Sequence, residues 1–204
     1  MPDKPIFITG IGTGIGKTIA SAILVEKLKA DYWKPVQSGD LDQSDTIKVK
    51  SLTSNKKSVF HPESYRLTQP FSPHKSAAID GITINPENII TPKTNNSLII
   101  EGAGGLMVPL NDQFLMIDLI KQLNAEVILV SQNYLGSINH TLLSIIALKQ
   151  YQIPVKGIIF NGPKDIYSKE YILNYTGLAS LGHIPAYNII DKKAIVDAAD
   201  YVFL

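Results

Sequence analysis

A short apolar segment, Ile6-Phe7-Ile8, runs into Gly10-Ile11-Gly12-Thr13-Gly14-Ile15-Gly16-Lys17-Thr18, and a helix-period pattern follows at Ile19, Ile23, Leu24 and Leu28. Strand, glycine loop and helix in immediate succession leave few folds open. Glycines let successive backbone N–H groups turn inward around phosphate oxygens, a helix N-terminus adds positive potential, and Lys17 supplies a point charge. Thr18 then offers its hydroxyl to Mg²⁺. The usual spacing would put the first glycine at position 11, but Ile11 stands there and the loop starts at Gly10, one residue longer. Two readings compete: a glycine-rich turn without a ligand, and a dinucleotide fingerprint on Gly12, Gly14 and Gly16. Gly-Lys-Thr at a strand-to-helix junction speaks against both.

Three further apolar runs, Leu98-Ile99-Ile100, Val127-Ile128-Leu129-Val130 and Ile158-Ile159-Phe160, suit strands covered on both faces. Helix-period stretches lie between them, at Met116, Leu119, Ile120 and Leu123 and at Leu142, Ile145, Ile146 and Lys149. The alternation predicts an α/β fold on a mostly parallel sheet with right-handed crossovers. Residues 39–96 differ, being rich in Ser, Thr, Pro, Asn and Lys with modest periodicity at Ile47 to Leu52 and Ser76 to Ile79. Loops and short helices are expected there, in an excursion that serves a site. No linker divides the chain, so residues 1–204 are expected to form one domain.

Lys plus Arg number 19 against 18 Asp plus Glu, so the net charge of +1 predicts neither a nucleic-acid nor a membrane partner. The absence of cysteine excludes disulfides and thiolate chemistry and fits a reducing compartment. The start, Met1-Pro2-Asp3-Lys4-Pro5, lacks a basic-then-apolar signal, and no apolar run is long enough to cross a bilayer. A soluble cytoplasmic protein is expected.

A nucleotide-bound Mg²⁺ takes one or two carboxylates. Glu101, at the end of the run Leu98 to Ile100, falls beside the phosphate loop if the two strands are parallel. Asp45, after Gln43-Ser44 at the start of an expected helix, is a second candidate, against a strong plain alternative as a helix-capping or first-turn acid.

Taken in order, Gly10 to Thr18, Lys34-Pro35-Val36-Gln37-Ser38-Gly39, Ser44-Asp45, Ser72-Pro73-His74, Glu101-Gly102-Ala103-Gly104-Gly105, Leu135-Gly136-Ser137-Ile138-Asn139-His140 and Ile184-Pro185 resemble the dethiobiotin synthetase family. The match covers roughly Ile6 to Tyr187, and the Lys-Pro-Val and Glu-Gly-Ala-Gly-Gly pair is its most telling part. The resemblance implies a three-layer, doubly wound P-loop NTPase fold and a homodimer acting on 7,8-diaminononanoate, CO2 and MgATP in biotin biosynthesis. A substrate amine would capture CO2 as a carbamate, which attacks the ATP γ-phosphate; the second amine then closes the ureido ring.

Carried over by motif, Lys34 would hold the carbamate with Thr13 and Ser38 as hydroxyl partners, and Lys17 would neutralise the transferring phosphoryl group. Thr18, Asp45 and Glu101 would hold the metal. Gly14, Ile15, Gly16 and Ile19 would surround the phosphates, with Gly102, Ala103 and Gly104 opposite them and Gly104 also facing the substrate. Gly136, Ser137 and Asn139 would receive the substrate carboxylate across the dimer interface, although Ser137 or Asn139 could equally be a plain N-cap. Asn161 and Gly162, with Pro185, Ala186 and Tyr187, would form the base pocket; a turn proline before core residues is the plain alternative for the latter group. Position 162 is Gly and position 164 is Lys, so no Asn-Lys-x-Asp guanine reader is present and ATP is preferred.

The short tail offers no counterpart of the acid that closes over the nucleotide sugar in the family; Lys192 stands about there. Rival readings are an ATP-dependent ligase of the cobyrinate-amidase type, whose glutaminase domain is missing, and a ParA- or MinD-like ATPase switch. The latter calls for a second lysine early in the loop, where Gly10, Ile11 and Gly12 stand. His61, His74, His140 and His183 have no metal-ligand spacing, and Trp33 reads as a packing residue.

Overall fold

Residues 4–203 are described by a computed structural model. The Met1-Pro2-Asp3 start, read as lacking an export signal, lies outside the described residues. Among the described residues no helix is long and apolar enough to cross a membrane.

The chain builds strands β1 (Ile6–Gly10), β2 (Asp31–Trp33), β3 (Val36–Ser38), β4 (Phe60–His61), β5 (Tyr65–Leu67), β6 (Leu98–Glu101), β7 (Glu126–Gln132), β8 (Val155–Asn161) and β9 (Ser180–Ile184). Its helices are α1 (Lys17–Leu28), α2 (Asp45–Leu52), α3 (Pro73–Ile79), α4 (Met116–Gln122), α5 (Ser137–Gln150), α6 (Ile166–Thr176) and α7 (Lys192–Ala199). Seven strands form one sheet in the order β4-β2-β6-β1-β7-β8-β9, and β3 pairs with β5 in a small second sheet. Every pairing between these strands is parallel.

Alternation along the strands sorts the core into two layers. Phe7, Trp33, Ile100 and Leu129 pack with Ile117 and Ile120 of α4 and Ile145 and Leu148 of α5. Ile8, Tyr32, Ile99 and Ile128 pack on the other face with Ile23 and Leu24 of α1 and Ile195 of α7. Two helical layers thus enclose a sheet buried on both sides, which is why its strands read as continuous apolar runs. The three-layer doubly wound P-loop architecture is the one expected. Chain progression reverses at β1, between β6 on one side and β7 on the other. Ligands in such sheets bind at the carboxyl ends of the strands at this switch point.

Residues 39–96 depart in part from expectation. They hold α2 and α3, but also β5 and the edge strand β4, whose Phe60 and His61 pair with Tyr32 and Trp33. Strands of two or three residues are too short to carry a periodicity. The N-cap of helix α5 is Gly136 at φ 103°, and no side chain caps it. Neither Ser137 nor Asn139 is the cap, because the turn needs the left-handed backbone that glycine adopts most readily.

Candidate active site

The phosphate loop joins β1 to α1, with Gly14 at φ 74° and Gly16 at φ 96°. A side chain on Gly16 would collide with the Asn161 amide as well as straining the backbone. From Gly12 through Ile19 no backbone N–H finds an acceptor among the described residues; the first is Ala20, which donates to the Gly16 carbonyl. Unpaired N–H groups grouped this way at a helix N-terminus form an anion cradle. Lys17 is 8 % exposed and its Nζ donates to the Gly12 carbonyl at 2.7 Å, curled into the loop it would serve. Burial, with a further push from the nearby Lys34 ammonium, lowers its pKa to about 8 against the pull of Glu101 and Asp45.

Three oxygens converge beside the cradle. The Thr18 Oγ1 lies 2.9 Å from Asp45 Oδ1 and 2.9 Å from Glu101 Oε1. A hydroxyl carries one proton and can donate to only one of these carboxylates at a time. The other carboxylate then faces a lone pair, so the trio suits a divalent cation better than it suits itself. Two carboxylates, a hydroxyl and the oxygens of a nucleotide match what Mg²⁺ accepts. The residues therefore fit the metal, and Thr18, Asp45 and Glu101 are those that would hold it. No group of three or more His, Cys, Asp or Glu side chains suited to a metal occurs among the described residues.

Lys34 closes the group. Its Nζ sits 2.7 Å from Asp45 Oδ2 and 3.2 Å from Glu101 Oε1, and it also donates to the Gly102 carbonyl at 3.4 Å. Lys34 is 4 % exposed; burial pushes its pKa down, but the Glu101 and Asp45 carboxylates outweigh that and raise it, so the ammonium stays charged. Asp45 is held below the ordinary carboxylate value: burial raises it, while Lys34 and the Thr18 hydroxyl more than offset the rise. Asp45 begins α2, and the N-cap is its neighbour Ser44, whose hydroxyl accepts from the Ile47 N–H. The capping task thus falls to Ser44 and leaves Asp45 free to face Lys34.

An open cleft of about 1430 Å³ contains Thr13, Gly14, Gly16, Lys17, Thr18, Ile19, Lys34, Ser38, Asp45, Glu101, Ala103 and Gly104. The Ser38 hydroxyl is buried there without a partner. Thr68, Pro70, Phe71, Ser72 and Pro73 also line the cleft, so the long excursion does serve it. Two contributors escaped the sequence reading. Gln37 accepts from the Asp45 N–H and donates to the Gly39 carbonyl, pinning the start of α2, and the Tyr32 hydroxyl donates to Glu101. The signal for Tyr32 was available, since residues 32 and 34 share one side of an extended chain.

A family model described as AAA domain matches residues 4–194. The ATP-dependent dethiobiotin synthetase BioD of Christiangramia forsetii is 51% identical over 97% of this chain and 95% of its own length. The chain belongs to the dethiobiotin synthetase family. The BioD of Cytophaga hutchinsonii is 50% identical over 98% of this chain and 97% of its own length. Among solved structures, the septum site-determining protein MinD complexed with Mg-ADP from Pyrococcus horikoshii superposes with a TM-score of 0.63 at 16% identity, covering 95% of this chain and 85% of its own. A ParA family ATPase from Chlorobium tepidum gives 0.58 at 15%, covering 98% and 99%. These likenesses speak for the fold alone.

Other residues singled out in the family motifs lie elsewhere. Asn161 donates through Nδ2 to the Ile15 carbonyl at 2.9 Å, so its amide braces the phosphate loop of this synthetase-family chain. Gly162 donates to the Ile184 carbonyl, and Tyr187 leans on the α1 side of the core. Neither these nor Pro185 and Ala186 line the large cleft, and Lys192 is exposed at the start of α7. Gly136, Ser137 and Asn139 also lie outside it, near a second cleft of about 560 Å³ bordered by Ile11, Thr13, Gln132, Tyr134 and His140. Trp33 is buried and donates its ring N–H to the Pro62 carbonyl, a packing residue as expected.

Proposed function

We propose that this chain makes dethiobiotin from 7,8-diaminononanoate, CO2 and ATP, with Mg²⁺, releasing ADP and phosphate. The observation that carries the reading is the meeting of Lys34 with Asp45 and Glu101 beside an anion cradle, in a chain half identical to named synthetases. An anionic carbamate must approach an anionic phosphate chain, and positioned cations lower that barrier. In this reading one substrate amine adds to CO2 and loses a proton. Lys34 holds the resulting carbamate, and Ser38 and Thr13 offer it hydroxyls. Its oxygen attacks the γ-phosphorus and ADP leaves; the second amine then attacks the carbonyl carbon, loses a proton to solvent, and phosphate leaves. The backbone cradle and Lys17 bind the nucleotide phosphates. Mg²⁺, when bound, supplies positive charge to the phosphate oxygens.

Lys34 now sits on the carboxylates assigned to the metal, so it must exchange partners during the cycle. Were Asp45 and Glu101 to hold Mg²⁺, the Lys34 ammonium would be free to face the carbamate.

The active unit is proposed to be a homodimer. Leu135, Leu143 and Ile146 are exposed along and just before α5, beside the Gly136-to-Asn139 turn proposed to take the substrate carboxylate from the partner subunit. Asn161 and Gly162, with Pro185 to Tyr187, are proposed to lie against the base of ATP.

Mass spectrometry after incubation with diaminononanoate, bicarbonate, Mg²⁺ and ATP tests the reading. A product of ureido-ring mass that disappears when the diamine is omitted is expected. Phosphate release that ignores the diamine, with no such product, would overturn it.

A further inference from the structure

Glu101 presents its two oxygens to different surroundings. Oε1 faces the cleft, with Thr18 at 2.9 Å and Lys34 at 3.2 Å. Oε2 faces inward and accepts from the Tyr32 hydroxyl at 2.8 Å, its sole hydrogen-bond partner among the described residues. Tyr32 is fully buried and lines no part of the cleft.

The arrangement follows from strand register. Tyr32 pairs with Ile99 and Trp33 with Ile100 across β2 and β6. Alternation turns Tyr32 and Lys34 to the side that Ile99 and Glu101 share, while Trp33 and Ile100 turn to the other layer. Tyr32 therefore reaches Glu101 from the core side and Lys34 reaches it from the cleft side. A buried phenol must donate its proton somewhere, and this one donates to a carboxylate.

A glutamate carboxylate turns freely about its last torsion unless something holds it. We propose that Tyr32 is a positioning residue for the metal–nucleotide complex, fixing Oε2 of Glu101 so that Oε1 faces Thr18 and Lys34 in the cleft. The inference rests on the reading of Glu101 as a metal-holding acid. It gives an apolar-core tyrosine a part in Mg²⁺ affinity without any contact to metal or substrate. Partners of this outer kind are worth roughly 10–100-fold in metal affinity or activity.

Tyr32→Phe removes only the hydroxyl. Calorimetric titration with ADP, in chelator and in excess Mg²⁺, separates the two contributions to binding. The variant is expected to bind ADP in chelator within about two-fold of the parent, while the gain conferred by Mg²⁺ falls by roughly ten-fold or more. A role in packing alone would not discriminate between the two titrations. Glu101→Gln serves as the reference and is expected to lose the gain more completely. The double variant Tyr32→Phe with Glu101→Gln is expected to match Glu101→Gln alone, since the hydroxyl acts through that carboxylate. Full Mg²⁺ gain in Tyr32→Phe while Glu101→Gln loses it, or losses that multiply in the double variant, would overturn the role of Tyr32 and leave the metal site standing. Full gain in Glu101→Gln would overturn both.

Discussion

Lys34 and Glu101 stand at the ends of neighbouring parallel strands with Nζ 3.2 Å from Oε1, though 67 residues separate them in the chain. The same ammonium lies 2.7 Å from Asp45, so one cation is shared between both acids proposed to hold the metal. This sharing makes Lys34 a structural element as well as a proposed carbamate holder.

Lys34→Ala is expected to lower stability by about 2 kcal/mol, less than the 3–5 typical of a fully buried pair because Asp45 opens to the cleft. In a chain of this size that is a fall in Tm of roughly 4–8 °C. Mg²⁺ and ADP should restore much of it, since the metal compensates the same carboxylates. Turnover should be abolished with MgATP binding largely intact. Thermal scans and calorimetry check this; loss of nucleotide affinity, or full activity, contradicts the assignment.

Lys17→Ala should act differently, weakening nucleotide binding and turnover together. The loss of one charge-assisted contact, about 1.5–3 kcal/mol, corresponds to roughly 10–150-fold in ADP affinity. Titration of the variant with ADP measures it, and unchanged affinity would remove Lys17 from the phosphate site.

Paired substitution of Leu143→Glu and Ile146→Glu should shift the protein to monomer, measured by sedimentation. Both side chains are more than half exposed, at 56% and 51%, so folding should survive. The KM for the diamine should rise at least about ten-fold while ADP binding is retained, as expected if the partner holds the substrate carboxylate. A monomeric parent, or an unchanged KM in the monomer, would contradict the shared site.

Glu26 links α1 to the segment just after α2, accepting from the Ser54 and Asn55 N–H groups and the Ser54 hydroxyl. Burial raises its pKa, but those bonds outweigh burial and hold it below 4.5. A depressed folded-state value means stability that is present above the unfolded pKa and lost as pH falls through the folded one. Glu26→Gln should therefore melt lower than the parent at pH 7, by under about 1 kcal/mol for so exposed a group, with the difference closing below pH 4. Melting curves at pH 7 and 3.5 decide; a constant gap would mean the carboxylate charge is irrelevant.

The phosphate loop was legible because its function is local: eight N–H groups without acceptors, a lysine and a hydroxyl come from one contiguous stretch. The four apolar strand segments were legible because burial on both faces demands unbroken apolar runs. By contrast, β2 reads Asp-Tyr-Trp and β9 reads Ser-Leu-Gly-His-Ile, and neither shows a β-branched run or clear alternation. Their pairing is imposed by neighbours, and β2 is the strand that delivers both Tyr32 and Lys34.

The amino-acid order by itself determined the nucleotide loop, the parallel α/β class and the family motifs, because each rests on interactions within a few residues or on which side chains avoid water. Only the tertiary structure decided that Thr18, Lys34, Asp45 and Glu101 share one cluster, that Ser44 rather than Asp45 caps α2, that Gly136 caps α5, and that Tyr32 holds Glu101 from the core. Those relationships depend on strand register, and register is set by the packing of the whole sheet between its two helical layers.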